Sequence, residues 1–90
     1  MGRLQGKVAL ITGGSRGIGA GIVRKLAQEG ASVAFTYVNA TEKANSLQNE
    51  LSAQGGNILS INADSSQTQE VEYAIQLVVK KFGRIDILVN

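Results

Sequence analysis

Short apolar runs alternate along this chain with longer segments in which apolar residues recur every three or four positions. The runs lack the polar alternation of a half-exposed strand, which is typical of parallel strands buried on both faces. The longer segments have the periodicity of amphipathic helices, and each is followed by a glycine suited to a C-cap, at Gly30, Gly55 and Gly83. The order β-α-β-α-β-α-β therefore predicts an α/β fold in which a parallel sheet packs between helices.

The first, second and fourth predicted strands occupy residues 7–12, 32–38 and 85–89, and the third contains Ile58, Leu59 and Ile61 and ends near Asp64. Right-handed crossovers allow the strand order 3-2-1-4, the first half of a doubly wound sheet, with the first two helices on one face and the third on the other. Thr41 is the predicted N-cap of the second helix. Ser66 and Gln69 have the spacing of a capping box, which predicts the start of the third helix.

Composition excludes several classes of function. The chain contains no cysteine and no histidine, so disulfides, thiolate or imidazole metal sites and Ser-His-Asp catalysis are excluded. Its net charge is only +2, with basic residues scattered singly or in pairs, which argues against a nucleic-acid surface. No apolar run approaches the roughly 18 residues that span a bilayer, and the N-terminus lacks the apolar core of a signal peptide. We therefore expect a cytoplasmic protein without bound metal, nucleic acid or membrane.

A glycine pattern, Gly13-x-x-x-Gly17-x-Gly19, joins the first predicted strand to the first predicted helix. Gly13 allows a tight turn out of the strand, Gly17 allows the backbone to approach a ligand, and Gly19 allows the helix to pack close to the strand. The N-terminus of the helix then presents free N–H groups and a positive dipole end to a pyrophosphate. This placement predicts a dinucleotide-binding loop, the alternative being a glycine-rich connection without a ligand.

The segment 12–19 resembles the cofactor loop of the short-chain dehydrogenases/reductases, as does its spacing from Asp64 and from segment 86–90. Within that family the sequence is most similar to the 3-oxoacyl-[acyl-carrier-protein] reductases. The resemblance runs from Leu4 to the last residue, but it covers only the N-terminal third or so of such an enzyme. It implies that residues 1–90 are the N-terminal, dinucleotide-binding portion of a single Rossmann-like domain, truncated at strand four.

The expected cofactor-binding residues are Gly13, Gly14, Ser15, Arg16, Gly17, Ile18, Gly19, Tyr37, Asn39, Asp64, Ser65 and Asn90. The resemblance implies that segment 12–19 holds the pyrophosphate and the adenosine ribose. It implies that Asp64 and the backbone of Ser65 contact the adenine, and that the backbone at Asn90 meets the cofactor near the adenosine ribose. The alternative for Asp64 is an anion that favours the positive end of a helix dipole.

The end of the second strand bears on which nicotinamide cofactor binds. Folds that select NAD place an acidic side chain there to accept hydrogen bonds from the ribose hydroxyls, and Tyr37 stands at that position. Without an acid nothing repels the 2′-phosphate of NADP, with which the Arg16 guanidinium can pair, so NADP(H) is expected over NAD(H). The alternatives are a solvated charge at Arg16 and plain packing of Tyr37. The second cation of many NADP-selective members is missing, since Val38 and Asn39 stand in its place.

No residue of this chain is expected to be catalytic. The resemblance implies carbonyl reduction through a Tyr-x-x-x-Lys pair and a serine, and neither tyrosine of the chain has that lysine. Thr41 stands four positions after Tyr37. Leu77 stands four positions after Tyr73, and these two are expected to form an apolar patch beside the buried face of the third helix.

The expected function is therefore the NADP(H)-binding segment of a short-chain carbonyl reductase. The resemblance implies a 3-oxoacyl thioester substrate, as in fatty acid biosynthesis, with the substrate site and the catalytic residues in a later part of the polypeptide. Two alternatives remain. One is a free-standing dinucleotide-binding module without enzyme activity, and the other is an interaction domain that has lost its ligand.

The fourth strand is expected to form an exposed edge of the sheet. Unpaired strand edges rich in Val and Ile favour association with another chain, and a large exposed apolar patch is unfavourable in water. If the 90-residue chain is stable alone, we expect it to self-associate as a homo-oligomer, either edge to edge through the fourth strand or face to face. The alternative is that the remainder of the polypeptide covers this surface.

Overall fold

Four parallel strands and three helices alternate along the part of the chain that the computed structural model describes, residues 2–13 and 17–89. The elements are β1 (Val8–Ile11), α1 (Gly17–Gln28), β2 (Ser32–Tyr37), α2 (Thr41–Ala53), β3 (Ile58–Asn62), α3 (Thr68–Phe82) and β4 (Ile87–Val89). The strands form one sheet in the order β3-β2-β1-β4, and every pairing is parallel. The predicted fold class and strand order are confirmed.

The two faces of the sheet carry separate apolar cores. Alternate residues of a strand point to opposite faces, so Ile11 and Phe35 pack against α1 and α2, whereas Leu10 and Ala34 pack against α3. All four residues of β1 are buried, as expected of a strand covered on both sides. The predicted distribution of the helices, two on one face and one on the other, is confirmed.

Each helix ends at the glycine that the sequence predicts. Gly30, Gly55 and Gly83 have φ angles of 94°, 94° and 90°, a left-handed conformation that glycine adopts without steric strain. After α1 the amide of Gly30 donates to Ala27 and that of Ala31 donates to Leu26. This is the pair of hydrogen bonds of a Schellman motif.

The second helix starts differently from the prediction. Thr41 is the first residue of α2 and not its N-cap. The N-cap position is occupied by Ala40, which has a left-handed backbone with a φ of 61°. Ala40 has no polar side chain to cap the helix. Its carbonyl accepts the first helical hydrogen bond, from the amide of Ala44.

The predicted capping box of the third helix is also wrong. The helix begins at Thr68, with Gln67 as the N-cap, and the Gln67 side chain makes no capping hydrogen bond to any described residue. The Ser66 hydroxyl donates instead to Oδ1 of Asp64, at 2.7 Å. A short polar side chain can bond to neighbouring groups in a turn in place of capping a helix. Here the Ser66 hydroxyl is bonded to Asp64 and does not cap α3.

The fourth strand is shorter than predicted, spanning Ile87–Val89 and not 85–89. Asp86 precedes it and is bonded to β1 in two ways: its amide donates to the carbonyl of Val8, and its Oδ2 accepts from the amide of Val8, both at 2.8 Å. The Arg84 guanidinium donates to the same carboxylate. The Asp86 side chain thus supplies an acceptor for the amide of Val8, in place of a backbone carbonyl of the neighbouring strand.

The other strand bounds agree with the prediction to within two residues. β1 stops at Ile11 and β2 at Tyr37, each one residue before the predicted end. Among the residues that the structure describes, no helix combines the length and apolar character needed to cross a membrane.

Candidate functional site

The carboxyl ends of the four strands meet along one edge of the sheet, called here the carboxyl edge. The last residues of the strands β1, β2, β3 and β4 are Ile11, Tyr37, Asn62 and Val89. β1 lies between β2 and β4, and the segments that follow β1 and β3 lead to helices on opposite faces. A crevice opens at such a switch point, and ligands of open α/β sheets bind there.

Gly13 leads the chain out of β1 towards α1. Its φ angle is 74°, and its amide donates to Oγ1 of Thr36 in β2, with an N–O distance of 3.0 Å. The Thr36 side chain is buried. Sequence analysis did not single out Thr36, although a polar residue inside the apolar run of β2 is a signal that points to it.

The residue between β1 and Gly13 joins the central strand to β4. The amide of Thr12 donates to the carbonyl of Val89 at 2.9 Å, and its hydroxyl donates to the same oxygen at 3.3 Å. These bonds join the residue after β1 to the last residue of β4, on the side of β1 opposite to β2. The expected contact at Asn90 follows directly in sequence but lies outside the described residues.

The described residues leave space around the start of α1. Gly17 has a φ of 62°, and no heavy atom counted among its described surroundings lies within 4 Å of the position that a Cβ would take. Ile18 is 85% exposed, and Gly19 is half-buried within the first turn. The sequence has no acidic residue in this turn, so the positive end of the helix dipole is not neutralised from within the helix.

Asp64 lies just beyond β3 and is held by α3. Its Oδ1 accepts hydrogen bonds from the hydroxyl and the amide of Ser66, and these two bonds, the hydroxyl first, lower the pKa of the carboxyl group. Its own amide donates to Oε1 of Glu70 at 2.7 Å. The contacts described for the carboxylate all involve Oδ1 and the next residues of the chain. Glu70 is a second residue that sequence analysis missed, and its position in the first turn of α3 was the available signal.

Tyr37 and Asn39 flank the end of β2. The Tyr37 side chain is half-buried and packs against the core shared with α1 and α2. Its carbonyl accepts from the amide of Ala63 at 3.0 Å, which joins the ends of β2 and β3. Asn39 and Ser65 are exposed. Packing of Tyr37, one of the two predicted alternatives, is therefore observed.

The predicted site residues thus fall into two groups. The structure places Gly13, Gly17, Ile18, Gly19, Tyr37, Asn39, Asp64 and Ser65 on segments at the carboxyl edge. Gly14, Ser15, Arg16 and Asn90 lie outside the described residues.

A groove of about 450 Å³ lies between α1 and α2. Its charged lining includes Arg24 and Lys43 on one hand and Glu42 and Glu50 on the other, and Arg24 pairs with Glu50 across it. Because Arg24 and Glu50 form an ion pair across it, we assign no ligand to this groove.

Comparison with known proteins identifies relatives along nearly the whole chain. A family model described as short chain dehydrogenase matches residues 7–90. A hydroxynaphthalene reductase of Aspergillus fumigatus is 47% identical over 87 residues, which are 97% of this chain and 32% of that protein. A 3-oxoacyl-[acyl-carrier-protein] reductase of Staphylococcus aureus is 44% identical over 84 residues, 93% of this chain and 34% of the reductase.

Solved structures give the same result. A short-chain dehydrogenase/reductase from Serratia marcescens superposes with a TM-score of 0.93 and 49% identity, over 97% of this chain and 36% of that one. A short chain dehydrogenase from Burkholderia cenocepacia, solved in complex with NADP, has a TM-score of 0.94 and 49% identity, over 98% of this chain and 36% of that one. The chain spans about a third of the length of these relatives.

Proposed function

Because this chain belongs to the short-chain dehydrogenase family, we propose that the carboxyl edge of its sheet binds NADP(H) and serves an oxidoreductase that reduces a carbonyl group. The observation that carries the proposal is the start of α1. Among the described residues, none occupies the space where a side chain of residue 17 would stand, and the helix that starts there has no acid in its first turn. A pyrophosphate is the ligand that such a helix N-terminus favours.

The remaining contacts of the proposed site follow the order of the strands. Segment 12–19 holds the pyrophosphate and the adenosine ribose, and Asp64 with the backbone of Ser65 contacts the adenine. The carboxylate of Asp64 is ionised at neutral pH and can accept a hydrogen bond from an amino group. Asn90, the next residue in sequence after β4, completes the proposed set.

Selection of NADP over NAD is proposed to depend on Arg16 and on the lack of an acid at the end of β2. Tyr37, and not an aspartate or glutamate, ends β2, so no carboxylate at that position repels a 2′-phosphate. Arg16 supplies a guanidinium suited to a phosphate. The complex of the Burkholderia relative with NADP supports the same choice.

Titration of the full polypeptide with NADPH and with NADH, followed by nicotinamide fluorescence, tests this proposal. We expect NADPH to bind more tightly than NADH, and we expect Arg16→Ala to weaken NADPH binding by about tenfold, because one charge-assisted pair is lost, with little effect on NADH. Arg3→Ala is the matched control, since Arg3 precedes the opposite end of β1. Absence of saturable NADPH binding would refute the proposed function.

For the substrate we propose a 3-oxoacyl thioester, with the catalytic serine, tyrosine and lysine in a later part of the polypeptide. The similarity to the staphylococcal reductase supports this substrate, and the similarity to the hydroxynaphthalene reductase supports a polyhydroxynaphthalene as the second candidate. An assay of NADPH oxidation with each substrate class separates the two. NADPH binding without turnover of either would favour the free-standing binding module.

A further inference from the structure

The interior of the sheet contains a polar side chain, Thr36 of β2, which is 2% exposed. A hydroxyl buried this deeply is unfavourable unless it forms a hydrogen bond. The partner is not a neighbour in sequence: Oγ1 accepts from the amide of Gly13, 23 positions earlier, at 3.0 Å. Thr36 therefore connects the interior of β2 to the residue at which the chain leaves β1.

This hydrogen bond stands where the backbone ladder between β1 and β2 has ended. Ile11 is the last residue of β1 that pairs with β2, opposite Phe35. Gly13 follows two residues later, and its φ of 74° turns the chain away from the strand direction. A side-chain oxygen at this level holds the Gly13 amide while the chain turns, so it fixes the orientation of that peptide group.

We propose that Thr36 is a positioning residue for the dinucleotide: by holding the amide of Gly13, it sets the direction in which the chain leaves β1 for the phosphate site. The inference rests on the proposed NADP(H) site. Thr36 itself is buried and acts through Gly13, without touching the cofactor. A ligand that binds to backbone amides depends on amides held in place before it arrives.

Two substitutions separate positioning from packing. Thr36→Val keeps the branched shape that suits a strand but removes the acceptor. Thr36→Ser keeps the acceptor but removes a buried methyl group. The hydrogen bond between Gly13 and Thr36 is only partly buried, and valine fills nearly the same volume as threonine, so we expect Thr36→Val to unfold at a higher urea concentration than Thr36→Ser.

The measurement is NADPH affinity by fluorescence titration of the full polypeptide, together with urea unfolding. Thr36→Val is expected to weaken NADPH binding by about tenfold. Thr36→Ser is expected to bind within about twofold of the wild type although it unfolds at a lower urea concentration. The order of the two variants in affinity is thus opposite to their order in stability, which a purely structural role does not produce.

Ser60→Ala is the matched control. The Ser60 hydroxyl donates to Oε1 of Gln48, and it lies on β3, with β2 between it and β1. Its loss removes a partly buried hydrogen bond, so we expect lower stability with an unchanged affinity for NADPH.

Other outcomes would overturn the positioning role of Thr36, the proposed function or the hydrogen bond itself. If the wild type binds NADPH and Thr36→Val binds it equally well, the positioning role is wrong; if Thr36→Ser loses as much affinity as Thr36→Val, it is also wrong. If the wild type does not bind NADPH, the proposed function fails and the role fails with it. Hydrogen exchange of the Gly13 amide without ligand tests the bond itself, which is refuted if wild type and Thr36→Val exchange equally fast.

Discussion

Gly17 and Gly21 lie one turn apart in α1 but differ in backbone conformation. Gly17 has a φ of 62°, in the left-handed region, whereas the φ of Gly21 lies outside that region. At both positions no described heavy atom counted as a neighbour lies within 4 Å of where a Cβ would stand. Alanine strains a left-handed backbone but favours a helix interior. We therefore expect Gly17→Ala to lower the free energy of unfolding by about 1 kcal/mol and Gly21→Ala to raise it by about 0.5–1 kcal/mol. Urea denaturation measures both free energies. Changes of the same sign in the two variants would contradict the expectation that alanine is strained at position 17 and not at position 21.

The pKa of Asp64 provides a second prediction at a single residue. The Ser66 hydroxyl is the main cause of its lowering, so Ser66→Ala should move the pKa up towards the ordinary value of 3.8. Ser65→Ala, which alters an exposed neighbour, is the control and should leave it unchanged. Carboxyl chemical shifts in an NMR titration measure both variants.

The sign of the pH dependence follows from the same shift. A carboxyl group whose pKa is lowered on folding stabilises the folded state above its unfolded-state pKa, and that contribution is lost as pH falls through the folded-state pKa. Wild type should therefore exceed Ser66→Ala in stability at neutral pH, and the difference should shrink as the pH falls below 3.8. A difference that grows in acid would show that Ser66 stabilises the protein by another route.

Which residues sequence analysis found depended on how far apart the partners lie in the chain. The glycines of the loop have a local reason, since a turn and a helix start follow each other within a few residues. Thr36 acts on Gly13 across 23 positions, and this partner is defined only once β1 and β2 lie side by side. Glu70 binds the amide of Asp64 through a turn whose shape no residue type dictates alone.

Among the elements, the start of α2 is the place where local sequence and structure disagree most. Ala40 has the left-handed backbone that alanine adopts at a cost, and it has no side chain to cap the helix. Asparagine tolerates this conformation and is a favoured N-cap. We expect Ala40→Asn to raise the free energy of unfolding by about 1 kcal/mol.

Ala53→Asn at the other end of α2 is the control for that variant. Ala53 is exposed and belongs to the helix, where asparagine is a poorer helix former, so a loss of about 0.5 kcal/mol is expected. Thermal or urea unfolding compares the two. Destabilisation by both variants would mean that the left-handed N-cap does not carry strain.

The order of the elements was predictable from the sequence because apolar periodicity reports which faces are buried. The helix ends were predictable as well, since Gly30, Gly55 and Gly83 take left-handed angles that few other residues tolerate. The helix starts were not, because Thr41 and Ser66 are suitable caps by residue type alone. Whether a serine caps a helix or bonds to a nearby aspartate depends on the turn that precedes it.

At the scale of the whole molecule, β4 forms an edge of the sheet. It pairs with β1 on one side, and Leu88 is 52% exposed. An exposed apolar edge strand is a template for pairing with another chain. We expect the 90-residue chain, prepared alone, to self-associate in analytical ultracentrifugation, and Leu88→Lys to weaken that association.

Tyr73→Lys is the matched control, because Tyr73 is also 52% exposed but lies on α3. Association weakened by Leu88→Lys and not by Tyr73→Lys would locate the contact at the strand edge. A folded monomer of the unsubstituted chain at micromolar concentration would contradict the expectation.

The central claim is that a dinucleotide binds at the carboxyl edge of the sheet. Glycines with positive φ can report where a ligand binds, because those described lie either at the carboxyl ends or at the amino ends of the strands. Gly13 and Gly17 follow β1, whereas the amino ends of the four strands are preceded by Gly6, Gly30, Gly55 and Gly83. Labelling the full polypeptide with ¹⁵N-glycine places a signal at each.

Addition of NADPH to this labelled protein tests the claim most directly. We predict that the amide signals of Gly13 and Gly17 shift on saturation while those of the four glycines at the amino ends stay in place. Saturable binding that shifts the amino-end glycines and leaves Gly13 and Gly17 unmoved would contradict the account.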